Sequence, residues 1–525
     1  MGLLYNRYMD TYKKGLLEAH GIDPAAVEET FSRYERQQQV TSASFKGFPE
    51  VDGKHVLSAA DLEGISVSFQ DFQECVREYI PGLDPRKLCT SVQKDQVFLD
   101  REALETLGIL LYPYAAYGIL NGGSATSYID GKKNRSYGEE LFSLCSPHLE
   151  TLNPLCEGTP KGLTPGFLHP SGEPGPAFLE LKMRHLLLAN LRYRRLKEDR
   201  FASLDIPDCA DIPLFQMTSA ATHSQILQAM EEYQGGPLLA QLQDLLGSKL
   251  TCIPPVQQPM LAACNPPQSG EKLSIFTQAW GRDDTPLALP GGHGQNFSVL
   301  KETYRQLENS GRRFAWVGNI DNLGNTLNPV HLALTALKGT QGSFEFSFKT
   351  PVDLKGGILV INDRDHLDCM DIGAAISPDD VSHAESQGTH ILFNCATGLF
   401  NLTYLASHID DITNALPLRL STQDKDAGRY SQLEQITWEV IGILPEPMVL
   451  AVAKEQRFLA AKLAIEMVLT SLAPQVIRQC EAQESDDFGT CMLKLNQGLK
   501  HVLACDYGLV CDGGSNQWMP DGEDR

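Results

Sequence analysis

The segment Ile119-Leu120-Asn121-Gly122-Gly123-Ser124-Ala125-Thr126-Ser127 passes from an apolar run into two glycines and then into small, mostly hydroxyl-bearing residues. The run that begins at Tyr117 reads as a strand, and the glycines read as the turn that leads from it into a helix. Glycine lets backbone N–H groups come close to an anion, so the turn is a candidate nucleotide cradle formed around Leu120, Asn121, Gly122 and Gly123. The same residues would serve a plain turn equally well. Neither GxxxxGK[ST] nor GxGxxG is present, so this loop alone names no ligand.

Outward from it, short apolar runs at 212–217, 314–317 and 357–361 end in Gly, Asn or Ser and alternate with helical patterns. That alternation, from about 108 to 440, predicts a doubly wound, Rossmann-like α/β domain on a mixed sheet, with its ligand crevice beyond the carboxyl ends of the strands. Residues 1–107 read as a helical region, with the clearest periodicity at 27–39 and 69–79. Residues 441–525 read as a second, shorter helical region, strongest at 455–472, with a polar tail from 511 expected to fray. The Pro- and Gly-rich stretches 145–171 and 254–270 read as loops.

A chain of 525 residues, 42% hydrophobic and 21% charged, suits a soluble enzyme of two or three domains. Its formal net charge of −22 argues against nucleic acid or an anionic membrane as the main partner. An acidic protein that handles phosphate must therefore gather lysine, glycine amides or metal at one place. The N-terminus lacks the pattern of a secretory signal, and the longest apolar stretch, 108–120, is interrupted by Pro113 and too short to span a bilayer. Thirteen cysteines without a CxxC pair read as reduced thiols, and the expected location is the cytoplasm.

Later segments give the loop its meaning. Thr159-Pro160-Lys161-Gly162-Leu163 is followed by Ala177-Phe178-Leu179-Glu180-Leu181, then by Met217-Thr218-Ser219 and Val256-Gln257-Gln258. Further on come Pro290-Gly291-Gly292-His293-Gly294, Asn319-Ile320-Asp321-Asn322-Leu323, Lys349-Thr350 with Asp353-Leu354-Lys355-Gly356-Gly357, Phe393-Asn394, Gln432-Leu433-Glu434 and Arg457-Phe458-Leu459-Ala460-Ala461-Lys462. In that order, from about 117 to 470, they resemble the UDP-glucose pyrophosphorylase family and its UDP-N-acetylhexosamine relatives. The resemblance implies transfer of a uridylyl group from UTP to a sugar 1-phosphate, with glucose 1-phosphate as the acceptor and Mg²⁺ as cofactor. The K-G-G, Q-L-E and R-F-L-x-x-K forms are those of the glucose enzymes, whereas Pro160-Lys161-Gly162 and Met217-Thr218-Ser219 lean toward the N-acetylhexosamine branch. A non-catalytic sugar-nucleotide-binding protein of the same fold is the alternative from another class.

By the same resemblance, Lys161 lies on the triphosphate, and Lys462, with Lys425, on the α-phosphate and sugar phosphate. Lysine suits such work as a mobile point charge. Asp321 is the implied magnesium ligand, since Mg²⁺ takes one or two carboxylates and completes its shell with water and phosphate oxygens. Gln258 and the Gly292 amide would read the uracil with Met217 packed nearby, although Gln257 offers the same chemistry. His293 suits either a nucleotide contact or a structural role in its turn. Asn319, Gly357 and Asn394 are the implied sugar contacts. The chain departs from the family in five places, two of them Ile129 in place of a glycine and Ala460 in place of the proline of R-F-L-P-V-K. Ala125 stands where the family has glycine, and would cost about 1 kcal/mol if its backbone were left-handed. An insertion at 128–158 brings the competing cations Lys132, Lys133 and Arg135. After Lys462 only about sixty residues remain, mostly helical in pattern, where the family continues into an oligomer-forming β-helix.

Overall fold

The computed structural model describes residues 11–38, 44–125, 128–267, 272–353, 355–373, 375–479 and 487–521. Thr126, Ser127 and Leu354, which belong to segments quoted above, lie outside the described residues.

A mixed sheet of eleven strands organises the chain. Its main path runs Val56–Ser58, Met448–Val452, Gly342–Phe348, Leu392–Asn401, Phe314–Asn319, Ala115–Leu120, Leu214–Thr218 and Val256–Gln257. The last four are mutually parallel. Leu392–Asn401 runs antiparallel to both of its neighbours on the path. Gly357–Asn362, flanked by Phe45–Gly47 and Leu367–Asp371, branches from it. Every residue of Ala115–Leu120 and Leu214–Thr218 is buried, as expected of central strands covered on both faces. From Leu120 the chain crosses through the long helix Phe178–Arg200 to Leu214–Thr218 on one side, and Phe314–Asn319 lies on the other. The carboxyl end of Ala115–Leu120 is thus a topological switch point, where such sheets hold their ligands.

The α/β reading of 108–440 and its strand positions match this architecture. The terminal regions differ in part. Residues 45–100 carry five short strands besides the helices, and Phe45–Gly47 and Val56–Ser58 join the main sheet. Pieces of three residues are too short to show a period of two. In the C-terminal part, Met448–Val452 is a buried strand of the main sheet, so 440 cuts through the catalytic layer. The stretch read as one helix at 455–472 is Lys454–Arg457 and Ala464–Ile477 with a non-helical link. The tail folds back as the hairpin Leu509–Asp512 with Gln517–Pro520. Residues 145–156, read as loop, lie in the helix Glu139–Cys156, which carries Pro147 and Pro154 within it.

Polar groups inside the fold tie its C-terminal part to the sheet. The Arg457 guanidinium sits 2.9 Å from Glu345 on Gly342–Phe348, and it also donates to the Thr326 hydroxyl and carbonyl. His331 stands 3.1 Å from the same carboxylate. Burial alone would raise the Glu345 carboxyl, but Arg457 and His331 hold it below the ordinary value. Removing one partner of such a pair strands the other charge in the interior. Arg457→Met is therefore expected to cost about 3–5 kcal/mol, read as a lower denaturant midpoint, with Arg457→Met/Glu345→Gln recovering part of the loss. An unchanged midpoint for Arg457→Met would contradict this role.

Candidate active site

At the switch point the glycine loop is held from three sides. The Asn121 N–H donates to the Met217 carbonyl at 2.9 Å, and the Ser219 hydroxyl donates to the Gly122 carbonyl at 2.8 Å. Gln258, at the end of the neighbouring strand, lies flat on Gly122. A Cβ there would stand 2.4 Å from the Gln258 Nε2, so only glycine admits this contact. Gln258 is buried and its Oε1 has no hydrogen-bond partner among the described residues, while Gln257 is exposed. The structure thus separates the two glutamines. Met217 is buried in the apolar core and serves the loop through its backbone.

Pro160-Lys161-Gly162 crosses this loop. The Lys161 N–H donates to the Gly123 carbonyl and the Ala125 N–H to the Thr159 carbonyl, both at 3.0 Å. Ala125 is absent from the residues with positive φ and is fully buried, so the alanine carries no left-handed strain. The expected penalty at this position does not arise. Lys161 reaches across the switch point and puts its ammonium 2.6 Å from Asp321 Oδ2. Burial pushes the Asp321 carboxyl up, yet Lys161 and Lys462 together hold it below the ordinary carboxylate value.

Asp321 and Lys462 are brought together by their backbones. The Leu323 N–H donates to the Leu459 carbonyl, the Ala461 N–H donates to the Asp321 carbonyl, and Asn322 clamps both segments through its side-chain amide. Lys182 lies beneath this clasp, buried on the helix Phe178–Arg200. It donates to the carbonyls of Asn322 and Asn325 and to the Tyr507 hydroxyl. Its helix carries charged and apolar residues without a clear face, so nothing in the pattern marks it as buried. The Lys462 ammonium is exposed, 3.4 Å from the Lys355 carbonyl. Lys425 stands exposed at the end of the hairpin strand Arg419–Lys425, and its charge acts on Glu434.

Pro290–Gly294 docks on Gln432–Gln435. Gly292 has φ +85° and no room for a Cβ, which would lie 2.5 Å from the Gln435 carbonyl oxygen. His293 Nδ1 lies 2.8 Å from the Thr437 hydroxyl and 3.1 Å from the Thr437 backbone nitrogen, which pins the ring in its turn. Burial lowers the His293 pKa to about 4, with Asp321 opposing and Lys462 reinforcing that shift. The histidine is held in place by its turn and is also within electrostatic reach of both charged residues.

At the residues expected to contact sugar, a Cβ on Gly357 would lie 2.7 Å from Cys369 Sγ, 3.3 Å from Asp371 Oδ1 and 3.6 Å from Asn394 Nδ2. Gly357 and Asn394 therefore share one corner with Asp371, which the sequence reading did not single out. Its signal was the register that sets Gly357 opposite Asp371. Asn319, at the end of Phe314–Asn319, keeps a buried Oδ1 without a partner among the described residues, as does Asn121. These orphaned acceptors converge on the switch point and mark it as a site for a polar ligand. Among the described residues no group of three His, Cys, Asp or Glu could hold a metal alone. None of their helices is long and apolar enough to cross a membrane.

A glycine loop beyond the ends of parallel strands, with a lysine paired to one aspartate and a second lysine acting on the same carboxylate, is an arrangement suited to a nucleotidyltransferase of the α/β class. The family model described as UTP–glucose-1-phosphate uridylyltransferase matches residues 195–502, and the chain belongs to that family as a UTP–sugar-1-phosphate uridylyltransferase. The matched span begins after the glycine loop and Lys161, which the fold returns to the same crevice. No curated protein matches the sequence. Among solved structures, the chain is similar to the uridine diphosphate N-acetylglucosamine pyrophosphorylase of Trypanosoma brucei bound to an inhibitor, at 14% identity, TM-score 0.55, over 95% of this chain and 91% of that one. It is similar to UDP-glucose phosphorylase from Trypanosoma brucei at 18% identity and TM-score 0.51, over 87% of this chain and 76% of that one. A variant UDP-glucose pyrophosphorylase from Leishmania major, in complex with UDP-glucose, gives 16% identity and TM-score 0.51, over 88% and 77%. At these identities the likenesses establish a shared fold.

The neutral His293 makes a pH prediction. Its folded pKa of about 4 lies below its unfolded value, so between the two the unfolded chain binds more protons and stability falls with falling pH. His293→Gln should therefore show a smaller loss of thermal midpoint than the wild type as the pH falls from the ordinary value of 6.5 toward about 4. Equal losses would contradict a histidine held neutral.

Proposed function

We propose that the enzyme transfers a uridylyl group from UTP to glucose 1-phosphate and releases pyrophosphate. The observation that carries this reading is the Lys161–Asp321 pair at the switch point of the sheet, with the Lys462 charge acting on the same carboxylate. An oxygen of the sugar phosphate attacks the α-phosphorus of UTP, the new P–O bond forms, and the bond to the β-phosphate oxygen breaks as pyrophosphate leaves. Little covalent chemistry falls to the protein in such a reaction; alignment and neutralisation of charge do most of the work. Lys161 is suited to hold the triphosphate, and Lys462 to draw the sugar phosphate and α-phosphate together. Gln258 and the Gly292 amide are suited to the uracil edge, while Asn394, Asp371 and Gly357 line the side on which sugar hydroxyls would lie.

Magnesium fits the donors present. Asp321 offers a hard carboxylate oxygen, with the orphaned Asn319 Oδ1 two residues before it at the same strand end. One carboxylate suffices where phosphate oxygens and water complete an octahedral shell. The ion would supply charge neutralisation on the phosphates, beside the Lys161 ammonium that already faces Asp321.

Glucose is favoured by the K-G-G, Q-L-E and R-F-L-x-x-K forms of the motifs. N-acetylglucosamine 1-phosphate is the second reading, favoured by Pro160-Lys161-Gly162 and Met217-Thr218-Ser219. Initial rates with UTP, Mg²⁺ and each sugar phosphate should show a higher kcat/KM for glucose 1-phosphate; equal or reversed preference defeats the glucose assignment. Lys462→Ala and Asp321→Ala should each lower kcat by about 10²-fold or more, the scale of lost transition-state electrostatics. Near-normal turnover by either folded variant removes that residue from its role.

A further inference from the structure

Behind the Lys462 side of the active site lies a cavity of about 850 Å³, within the range of small-molecule sites. Its floor is apolar and deeply buried, built from Phe393, Phe458, Leu469, Met492 and Leu495. Its rim is cationic. Lys132 of the insertion, Lys355 and Lys462 all line it, are exposed, and make no ion pair among the described residues. The acids around it are already engaged. Asp130 accepts the N–H groups of Lys132 and Lys133 as a helix cap, Asp353 is paired with Lys454, and Glu466 accepts the Tyr137 hydroxyl and the Lys462 N–H. These neutral donors leave Asp130 and Glu466 charged, but five lysines outnumber the three carboxylates of the lining, so its net charge is positive.

Only a thin partition separates this space from the sugar corner. Gly356 has φ +148°, and a Cβ there would meet the Phe393 ring at 2.6 Å; the next residue, Gly357, is packed as closely against Cys369 and Asp371. A ligand that shifts Phe393 or takes hold of the Lys355–Gly357 segment therefore acts on the sugar side. Lys462 faces the cavity as well and leans on the Lys355 carbonyl.

We propose that this cavity is a second ligand site, for a small phosphate monoester with an aromatic or short aliphatic body, whose occupant draws Lys462 away from the sugar phosphate and inhibits transfer. The apolar floor takes the body, and the surplus of lysines over carboxylates in the lining, five against three, matches a dianion. The inhibitory part rests on Lys462 serving the sugar phosphate; the binding part does not.

Calorimetric titration of the full chain with phenyl phosphate tests it. The expected result is one molecule bound per chain, about tenfold or more tighter than inorganic phosphate, with Lys132→Ala and Leu495→Trp each weakening it about tenfold. Lys132 is exposed, so that variant keeps the test sound if Leu495→Trp fails to fold. Phenyl phosphate should also raise the KM for glucose 1-phosphate in the wild type more than in Lys132→Ala. Equal affinity for the two anions, or binding unchanged in Lys132→Ala, overturns the proposal. Because binding is read without turnover, failure of both sugar phosphates as substrates would sink the functional reading alone.

Discussion

The site depends on one side-chain amide. Asn322 accepts from the N–H groups of Gly324 and Leu459 through Oδ1, and donates through Nδ2 to the carbonyls of Cys395 and Arg457. All its hydrogen-bonding capacity is spent on backbone from three segments distant in sequence. Each unmade bond would leave a buried polar group unpaired, so the arrangement is strongly specified. It brings Asp321 and the Arg457–Lys462 segment into one clasp, with Lys182 supporting it from below and Arg457 anchoring it on Glu345.

That constraint answers the electrostatic problem raised by composition. A chain of net charge −22 repels phosphate at long range, and the crevice compensates locally. Lysine charges, glycine-loop amides and orphaned side-chain carbonyls gather at the end of two parallel strands, where the sheet leaves space. Lys161 and Lys462 hold the Asp321 carboxyl below its ordinary value, so this aspartate stands ionised beyond the strand end.

Much of this was legible in the sequence because it rests on backbone requirements. Glycine must stand at 122, where Gln258 lies against it, and at 292, where φ is positive; those residues fall inside recognisable segments. The alternation of apolar runs and helical patterns located the central strands. What escaped the reading was set by tertiary packing. The strands at 45–47 and 56–58 exist because the sheet edge pairs with them. The helix Glu139–Cys156 is concealed by its two prolines, although Cys145, Leu149, Leu152 and Cys156 bury its inner face. Lys182 looks like a surface residue until its partners are seen. Asp371 becomes a site residue only through strand register.

The most direct measurement is a crystal structure of the enzyme with UDP-glucose bound. The account predicts uracil against Gln258 and Gly292, the two phosphates between Lys161 and Lys462 beside Asp321, and the glucose hydroxyls toward Asn394 and Asp371. A nucleotide seated away from the end of Ala115–Leu120, or phosphates out of reach of both lysines, would contradict it.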